Sequence, residues 1–97
     1  MKYKVKFPSI SVQKRFEKAL DALPGDIRDE IIDKALALGD NPRPFGEPKI
    51  KPPLEVYNYT AQYRIGAGTM RILYDVDDSK RTVWLLAIRK RDERTYR

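Results

Sequence analysis

Two neighbouring segments of alternating hydrophobicity constrain the fold of this chain more than any other feature. In residues 57–65 the odd positions are aromatic or aliphatic and the even positions are polar, a pattern typical of a strand with one buried face. The alternation resumes in residues 69–76. Between them lies Gly66-Ala67-Gly68, and glycine tolerates the positive φ angles of tight hairpin turns. The sequence therefore predicts a β-hairpin in which Arg71 faces away from the buried side.

The other elements are predicted from similar patterns. Residues 2–7 alternate lysine with apolar residues, which predicts a strand. Apolar residues three and four positions apart predict two helices, the first capped by Ser9 or Ser11 and the second ending at Gly39. Residues 82–88 are apolar on both faces and predict a central strand. The expected fold is α+β, with strand, helix, helix and three strands in order. The helical hairpin covers one face of a mostly antiparallel four-stranded sheet, and the other face is open.

A proline-rich segment separates the helices from the strands of the hairpin. Residues 42–53 contain five of the seven prolines together with Gly46. We interpret this segment as an extended surface connection in which Lys49 and Lys51 are exposed. It is too short to separate domains, and a chain of 97 residues supports one hydrophobic core. Residues 1–97 are therefore predicted to form a single domain.

Composition narrows the chemistry available to the chain. It contains no cysteine and no histidine, which excludes thiolate nucleophiles, imidazole bases and the zinc sites built from those ligands. The formal net charge of +6 favours a phosphate polyanion or an acidic protein as partner, and charge alone does not choose between them. No apolar run approaches the ~20 residues of a membrane span. The N-terminus lacks the uninterrupted apolar stretch of a secretory signal, so a cytoplasmic protein is expected.

The segment YRIGAGTMRILYDVDD, a short apolar strand and the tail IRKRDERTYR together resemble the RelE/ParE superfamily of bacterial and archaeal toxins from toxin–antitoxin pairs. The similarity is clearest from residue 63 to residue 97. It implies a RelE-like toxin domain with a cognate antitoxin as partner. In the RelE branch it implies a ribonuclease, needing neither metal nor cofactor, that cuts messenger RNA in the ribosomal A site. In the ParE branch it implies an inhibitor that binds DNA gyrase and cleaves nothing.

The resemblance also implies candidate site residues. Arg71 matches the arginine of the family's YRILY strand. In the basic tail, Arg91 matches the arginine at its start and Tyr96 matches its tyrosine. Arg64 occupies the basic position of the preceding strand and supports them. Further basic residues are expected to contact RNA; they are Lys49, Lys51, Arg89, Lys90 and Arg94.

Three positions depart from the family pattern. Gly66 stands where some ribosome-dependent members carry a second basic residue, Met70 replaces the usual aromatic residue, and Lys90 stands where many relatives carry a histidine. These differences bear on the efficiency of RNA cleavage rather than on the fold. A degenerate member that survives only as a protein-binding module is therefore a third interpretation.

Chemistry supports the choice of Arg71. Metal-free cleavage of RNA requires positive charge on a phosphorane-like transition state, and guanidinium pairs bidentately with phosphate and stays charged. The alternative is a surface arginine paired with Asp75 on the same face. Tyr96 can stack on a base or pack its ring onto the sheet edge. Four other tyrosines have the spacing of core aromatic residues and are interpreted as structural; they are Tyr57, Tyr59, Tyr63 and Tyr74. Phe16 and Trp84 are interpreted in the same way.

Overall fold

Two helices and five strands follow one another in the computed structural model, which describes residues 2–44 and 49–90. In chain order they are β1 (Lys4–Lys6), α1 (Ile10–Asp21), α2 (Gly25–Ala37), β2 (Lys49–Val56), β3 (Tyr59–Ala67), β4 (Met70–Asp77) and β5 (Thr82–Lys90). The strands form one sheet in the order β1-β5-β4-β3-β2, in which β1 and β5 are parallel and all other neighbours antiparallel. The predicted α+β architecture, with two helices packed on a mostly antiparallel sheet, is confirmed.

The predicted number of four strands is wrong, because β2 occupies part of the segment interpreted as a surface connection. In β2, Lys49 opposes Tyr63 of β3, and regular pairing resumes at Leu54 after an irregularity. Pro52 and Pro53 lie within that irregularity. Proline has no N–H to give to a ladder, and an edge strand tolerates it because only one side of the strand is paired. The prolines that suggested a loop therefore fit an edge strand.

The main core lies between the helices and one face of the sheet. The Oγ of Ser9 accepts a hydrogen bond from the backbone N–H of Val12 at 3.2 Å, so Ser9 is the residue that caps α1. Both helices turn apolar side chains towards the sheet, where Ile65, Ile72 and Ile88 oppose one another on three neighbouring strands. The buried members of this core are Phe16, Ile31, Ala35, Leu38, Tyr63, Ile65, Ala67, Ile72, Tyr74, Val83, Leu85 and Ile88.

The sheet face away from the helices is only partly open. Leu73, Leu86 and Ala87 are almost fully buried, and they belong to a second, smaller apolar cluster to which no helix residue contributes. Its other buried members are Ile50, Val56 and Ala61, and the half-buried Tyr59 and Trp84 pack against it. The face predicted to be open is thus covered in its middle by apolar side chains.

The aromatic residues have more varied positions than their spacing predicted. Tyr63 and Tyr74 are buried in the main core, with their rings stacked at 5.6 Å between centroids, as expected. The prediction is wrong for Tyr57, which is 41% exposed and lies in the turn between β2 and β3 at a φ of 55°. Trp84 is half-buried and borders the second cluster rather than the main core.

An irregularity between β4 and β5 shifts the side-chain alternation of β5. Two consecutive residues of β4, Leu73 and Tyr74, oppose Ala87 and Leu85 respectively. Leu86 is therefore an extra residue on β5, which is the arrangement of a β-bulge. Because side chains alternate with a period of two, every residue after the bulge lies on the face opposite to that expected from an uninterrupted strand.

Candidate functional site

Two arginines lie directly opposite each other on the sheet face away from the helices. Arg71 of β4 pairs with Arg89 of β5 on one side and with Gly66 of β3 on the other. Directly opposed residues share a face, and the neighbouring row of Ile65, Ile72 and Ile88 points into the main core. Arg71 and Arg89 therefore point away from the helices. Arg71 is half-buried and Arg89 is exposed.

Arg64 belongs to the next row of the same face. It opposes Leu73 on β4, and Leu73 is two residues from Arg71, so Arg64 and Arg71 are diagonal neighbours. Such neighbours are separated by ~7–8 Å, within reach of long side chains. We call Arg64, Arg71 and Arg89 the three-arginine patch. It concentrates positive charge on one end of the sheet, where a phosphate can contact several guanidinium groups.

Other basic residues expected to contact RNA lie elsewhere. Lys90 opposes Met70, whose partner on β3 is the core residue Ala67, so Lys90 lies on the helix side of the sheet. Lys49 opposes the core residue Tyr63 and also lies on the helix side. Both are exposed, as is Lys51 in the irregular part of β2. The structure thus separates Lys49 and Lys90 from the three-arginine patch.

Three further candidates, Arg91, Arg94 and Tyr96, lie outside the described residues. Their roles stay predictions.

Asp75 lies on the same face as Arg71 but has contacts of its own. Asp75 is four positions after Arg71 on β4, which corresponds to ~13 Å along a strand. The Oδ1 of Asp75 accepts a hydrogen bond from the backbone N–H of Val76 at 2.9 Å, and the Gln62 side chain also donates to the carboxylate. Desolvation by partial burial raises the pKa of Asp75 above its usual range.

A network around Arg43 was not predicted from the sequence. Nη1 and Nη2 of Arg43 donate to the two carboxylate oxygens of Asp78 at 3.1 and 2.8 Å. Its Nε donates to the hydroxyl of Tyr63 at 3.1 Å, and its guanidinium lies 5.2 Å from the centroid of that ring. The hydroxyl of Tyr3 donates to Asp78 at 2.6 Å. We call Tyr3, Arg43, Tyr63 and Asp78 the Arg43 network.

The Arg43 network joins the loop after α2 to the middle of β3, to the turn after β4 and to the residue before β1. Hydrogen bonds from Arg43 and Tyr3 lower the pKa of Asp78 to about 2. The same hydrogen bond from Tyr3 to Asp78 raises the pKa of Tyr3. Beside the network, the hydroxyl of Tyr74 donates to the backbone carbonyl of Pro42 at 2.8 Å, and burial raises the pKa of Tyr74. No local pattern signals these contacts, because they join residues that are 20 to 75 positions apart.

The described residues provide two negative findings. Neither α1 nor α2, the helices in residues 2–44, is long and apolar enough to cross a membrane. Within residues 2–44 and 49–90, no group of three or more carboxylates is placed to hold a metal ion.

A family comparison identifies the chain. The family model described as ParE toxin of type II toxin-antitoxin system, parDE, matches residues 10–95. This chain belongs to the ParE toxin family. The match spans both helices and strands β2 to β5, and therefore includes the three residues of the patch, whereas β1 precedes it. A search of curated protein sequences found no match.

Solved structures of RelE toxins resemble this ParE-family chain over nearly its full length. The RelE–RelB complex from Pyrococcus horikoshii is 25% identical, with a TM-score of 0.70, and the match covers 96% of this chain and 99% of that one. The RelBE2 toxin–antitoxin complex from Mycobacterium tuberculosis is also 25% identical, with a TM-score of 0.66 and coverage of 94% and 93%. The intact RelBE complex from E. coli, at 20% identity and a TM-score of 0.60, shares the fold, with coverage of 94% and 99%. The expected membership of the RelE/ParE superfamily is confirmed.

Proposed function

We propose that this ParE-family toxin is a metal-independent endoribonuclease that cleaves messenger RNA in the ribosomal A site. The observation that carries the proposal is the three-arginine patch, in which Arg64, Arg71 and Arg89 lie on adjacent rows of one sheet face. The likeness to RelE structures at 25% identity supports the choice of this branch. The net charge of +6 supports a polyanionic substrate.

Arg71 holds the central position in the proposed reaction. The 2′-hydroxyl of the RNA attacks the adjacent phosphorus and gives up its proton, while the bond to the 5′-oxygen breaks and that oxygen gains a proton. Negative charge grows on the phosphoryl oxygens as the new bond forms, and a guanidinium fixed in place stabilises it. Gly66, opposite Arg71, has no side chain that would obstruct access from the β3 side. Arg64 and Arg89 bind the flanking phosphates.

The basic tail supplies the rest of the proposed site. Arg91 acts with Arg71 to stabilise the negative charge of the phosphate. Tyr96 orients the RNA by stacking on a base. Because the chain has no histidine, proton transfer uses a side chain other than imidazole. Lys49 and Lys51, both exposed on the edge strand β2, contact ribosomal RNA away from the three-arginine patch.

A cognate antitoxin is the proposed partner of the free toxin. The three RelE structures described above are toxin–antitoxin complexes, and the family model describes the toxin of a type II toxin–antitoxin system. We infer that an acidic segment of the antitoxin covers the three-arginine patch, because opposite charge compensates the clustered guanidinium groups and blocks access of RNA.

An inhibitor of DNA gyrase is the second candidate function. The match to the ParE family model favours it, and the strand arginine is common to both branches. In this alternative Arg71 contacts the target protein and no RNA is cut. Damage to DNA on expression, without new RNA ends, would distinguish it from the ribonuclease.

Mapping of messenger RNA 5′ ends after induction tests the proposal. The wild-type toxin is expected to produce new ends within codons on translating ribosomes. Arg71→Ala is expected to reduce cleavage by about 10²- to 10³-fold, the usual cost of losing one transition-state donor. Lys14→Ala is the matched control, because it removes one positive charge from the exposed surface of α1, away from the patch. Growth arrest without new RNA ends would refute the proposal.

A further inference from the structure

A second row of polar residues crosses the same sheet face as the three-arginine patch. Trp84 of β5 opposes Lys6 of β1 on one side and Asp75 of β4 on the other. The adjacent row of Val5, Val83 and Val76 points towards the main core, so Lys6, Trp84 and Asp75 point away from it. We call Lys6, Trp84, Asp75 and the Asp75-bound Gln62 the tryptophan row.

Trp84 offers a partly accessible aromatic surface. It packs against the second apolar cluster and is half-buried, which fixes the ring without covering it completely. It is the sole tryptophan of the chain. An aromatic ring held in this way on a sheet is the usual platform on which single-stranded RNA stacks its bases.

Asp75 and Lys6 flank the ring with opposite charges. The Asp75 carboxylate is held by the backbone N–H of Val76 and the Gln62 side chain, which leaves unused lone pairs on a fixed acceptor. On the other side, Lys6 is exposed at the sheet edge. An acceptor for a base edge and a cation for a phosphate are thus placed on opposite sides of a stacking surface.

The tryptophan row and the three-arginine patch have a spacing that suits one RNA strand. Asp75 lies ~13 Å along β4 from Arg71, a distance that a single strand covers within a few nucleotides. Exposed Lys4, in the row beyond Lys6, continues the positive charge along the same edge. An acidic protein segment fits the row less well, because Asp75 would repel it and its side chains offer no flat ring for Trp84.

We propose that the tryptophan row is a nucleotide-binding subsite that selects guanine in the RNA bound at the three-arginine patch. The inference rests on the proposed ribonuclease function. The guanine ring stacks on Trp84, and its adjacent N1–H and N2 amino groups donate to the two oxygens of Asp75. A carboxylate accepts these two adjacent N–H donors as it accepts the two parallel N–H donors of an arginine side chain. Lys6 binds the phosphate of the same nucleotide.

Fluorescence of Trp84 reports occupancy of the subsite directly. The purified full chain is titrated with a short single-stranded RNA that contains guanosine and is methylated at every 2′-oxygen, so that it cannot be cleaved. Quenching is expected, because the stacked base contacts the only tryptophan. Replacing guanosine by inosine, which lacks only the N2 amino group, is expected to weaken binding about 5- to 140-fold, the range for loss of a bidentate base contact.

Three variants test the individual contacts. Trp84→Leu is expected to weaken binding about 5- to 140-fold, measured by anisotropy of labelled RNA. Because Trp84 also packs on the second cluster, two variants outside the core test the same subsite. Asp75→Asn is expected to abolish the preference for guanosine over inosine. Lys6→Gln is expected to reduce the slope of log K against log salt concentration by about 0.7, whereas Lys18→Gln on α1 leaves this slope unchanged.

The outcomes separate this inference from the proposed function. Quenching that prefers guanosine, in a protein that cuts no RNA on ribosomes, supports the subsite and refutes the ribonuclease. Arg71-dependent cleavage without quenching, and with equal binding of guanosine and inosine, overturns the subsite and leaves the ribonuclease standing. Absence of any RNA binding overturns the subsite as well.

Discussion

The hydroxyl of Tyr74 provides a sharp test of how the loop after α2 is held. The Tyr74 side chain is fully buried, and its hydroxyl donates to the carbonyl of Pro42 at 2.8 Å. Tyr74→Phe removes the donor and leaves the packed ring in place. A net hydrogen bond contributes ~0.5–1.5 kcal/mol, and an orphaned buried acceptor costs ~1–3 kcal/mol. Since Pro42 is only half-buried, water compensates part of that cost, and we expect a loss of about 1–2 kcal/mol.

Thermal and urea unfolding, followed by circular dichroism, measure this loss. For a domain of this size 1 kcal/mol corresponds to ~4–8 °C, so Tm should fall by about 4–16 °C, with an unchanged urea m-value. Tyr57→Phe is the matched control, because it deletes an exposed hydroxyl and keeps the ring beneath the Arg15 guanidinium at 4.2 Å. If both variants lose the same small amount, the hydrogen bond to Pro42 does not stabilise the loop and the reasoning fails.

Three further predictions concern acid stability, backbone conformation and the core. Hydrogen bonds from Arg43 and Tyr3 lower the pKa of Asp78 in the folded protein to about 2, below the unfolded value of ~3.9. Between these two pH values the unfolded state therefore binds more protons than the folded state. Stability therefore falls as the pH decreases from about 4 towards 2, and Arg43→Met should flatten that part of an acid titration. Gly68→Ala, at a φ of +61°, should cost ~1–2 kcal/mol in urea unfolding, whereas Gly25→Ala, with no atom within 4 Å of the added Cβ, should cost nothing. Ile72→Ala should cost ~2–5 kcal/mol, because the fully buried side chain leaves a cavity in the main core.

The parts of the fold that follow from periodicity were predictable from the sequence. The alternation in residues 57–65 and 69–76 predicts the β3–β4 hairpin and the side on which Arg71 lies, because both depend only on local repetition. The two helices follow from apolar spacing and the cap at Ser9. The hairpin turn is shifted by one position, since Ala67 already pairs with Met70 and the positive φ of the turn is at Gly68 rather than at Gly66.

The parts that depend on long-range contacts were not predictable. β2 contains Pro52 and Pro53, and a sequence gives no sign that these residues lie on an edge where a missing N–H is tolerated. The Arg43–Asp78 ion pair joins a loop to a turn 35 residues away, so no spacing rule detects it. Trp84 lies in a segment that is apolar on both faces, and periodicity cannot assign such a segment to either side of the sheet.

The β-bulge at Leu86 connects these observations to the candidate site. In an uninterrupted strand, Trp84 and Arg89 would point to opposite faces, because five positions separate them. The extra residue changes the alternation, so both side chains lie on the face away from the helices while Lys90 lies on the helix side. The bulge therefore places Arg89 beside Arg71 on the face that also carries the tryptophan row. Without this one inserted residue, Arg89 and Trp84 could not both lie on the path proposed for RNA along β4 and β5.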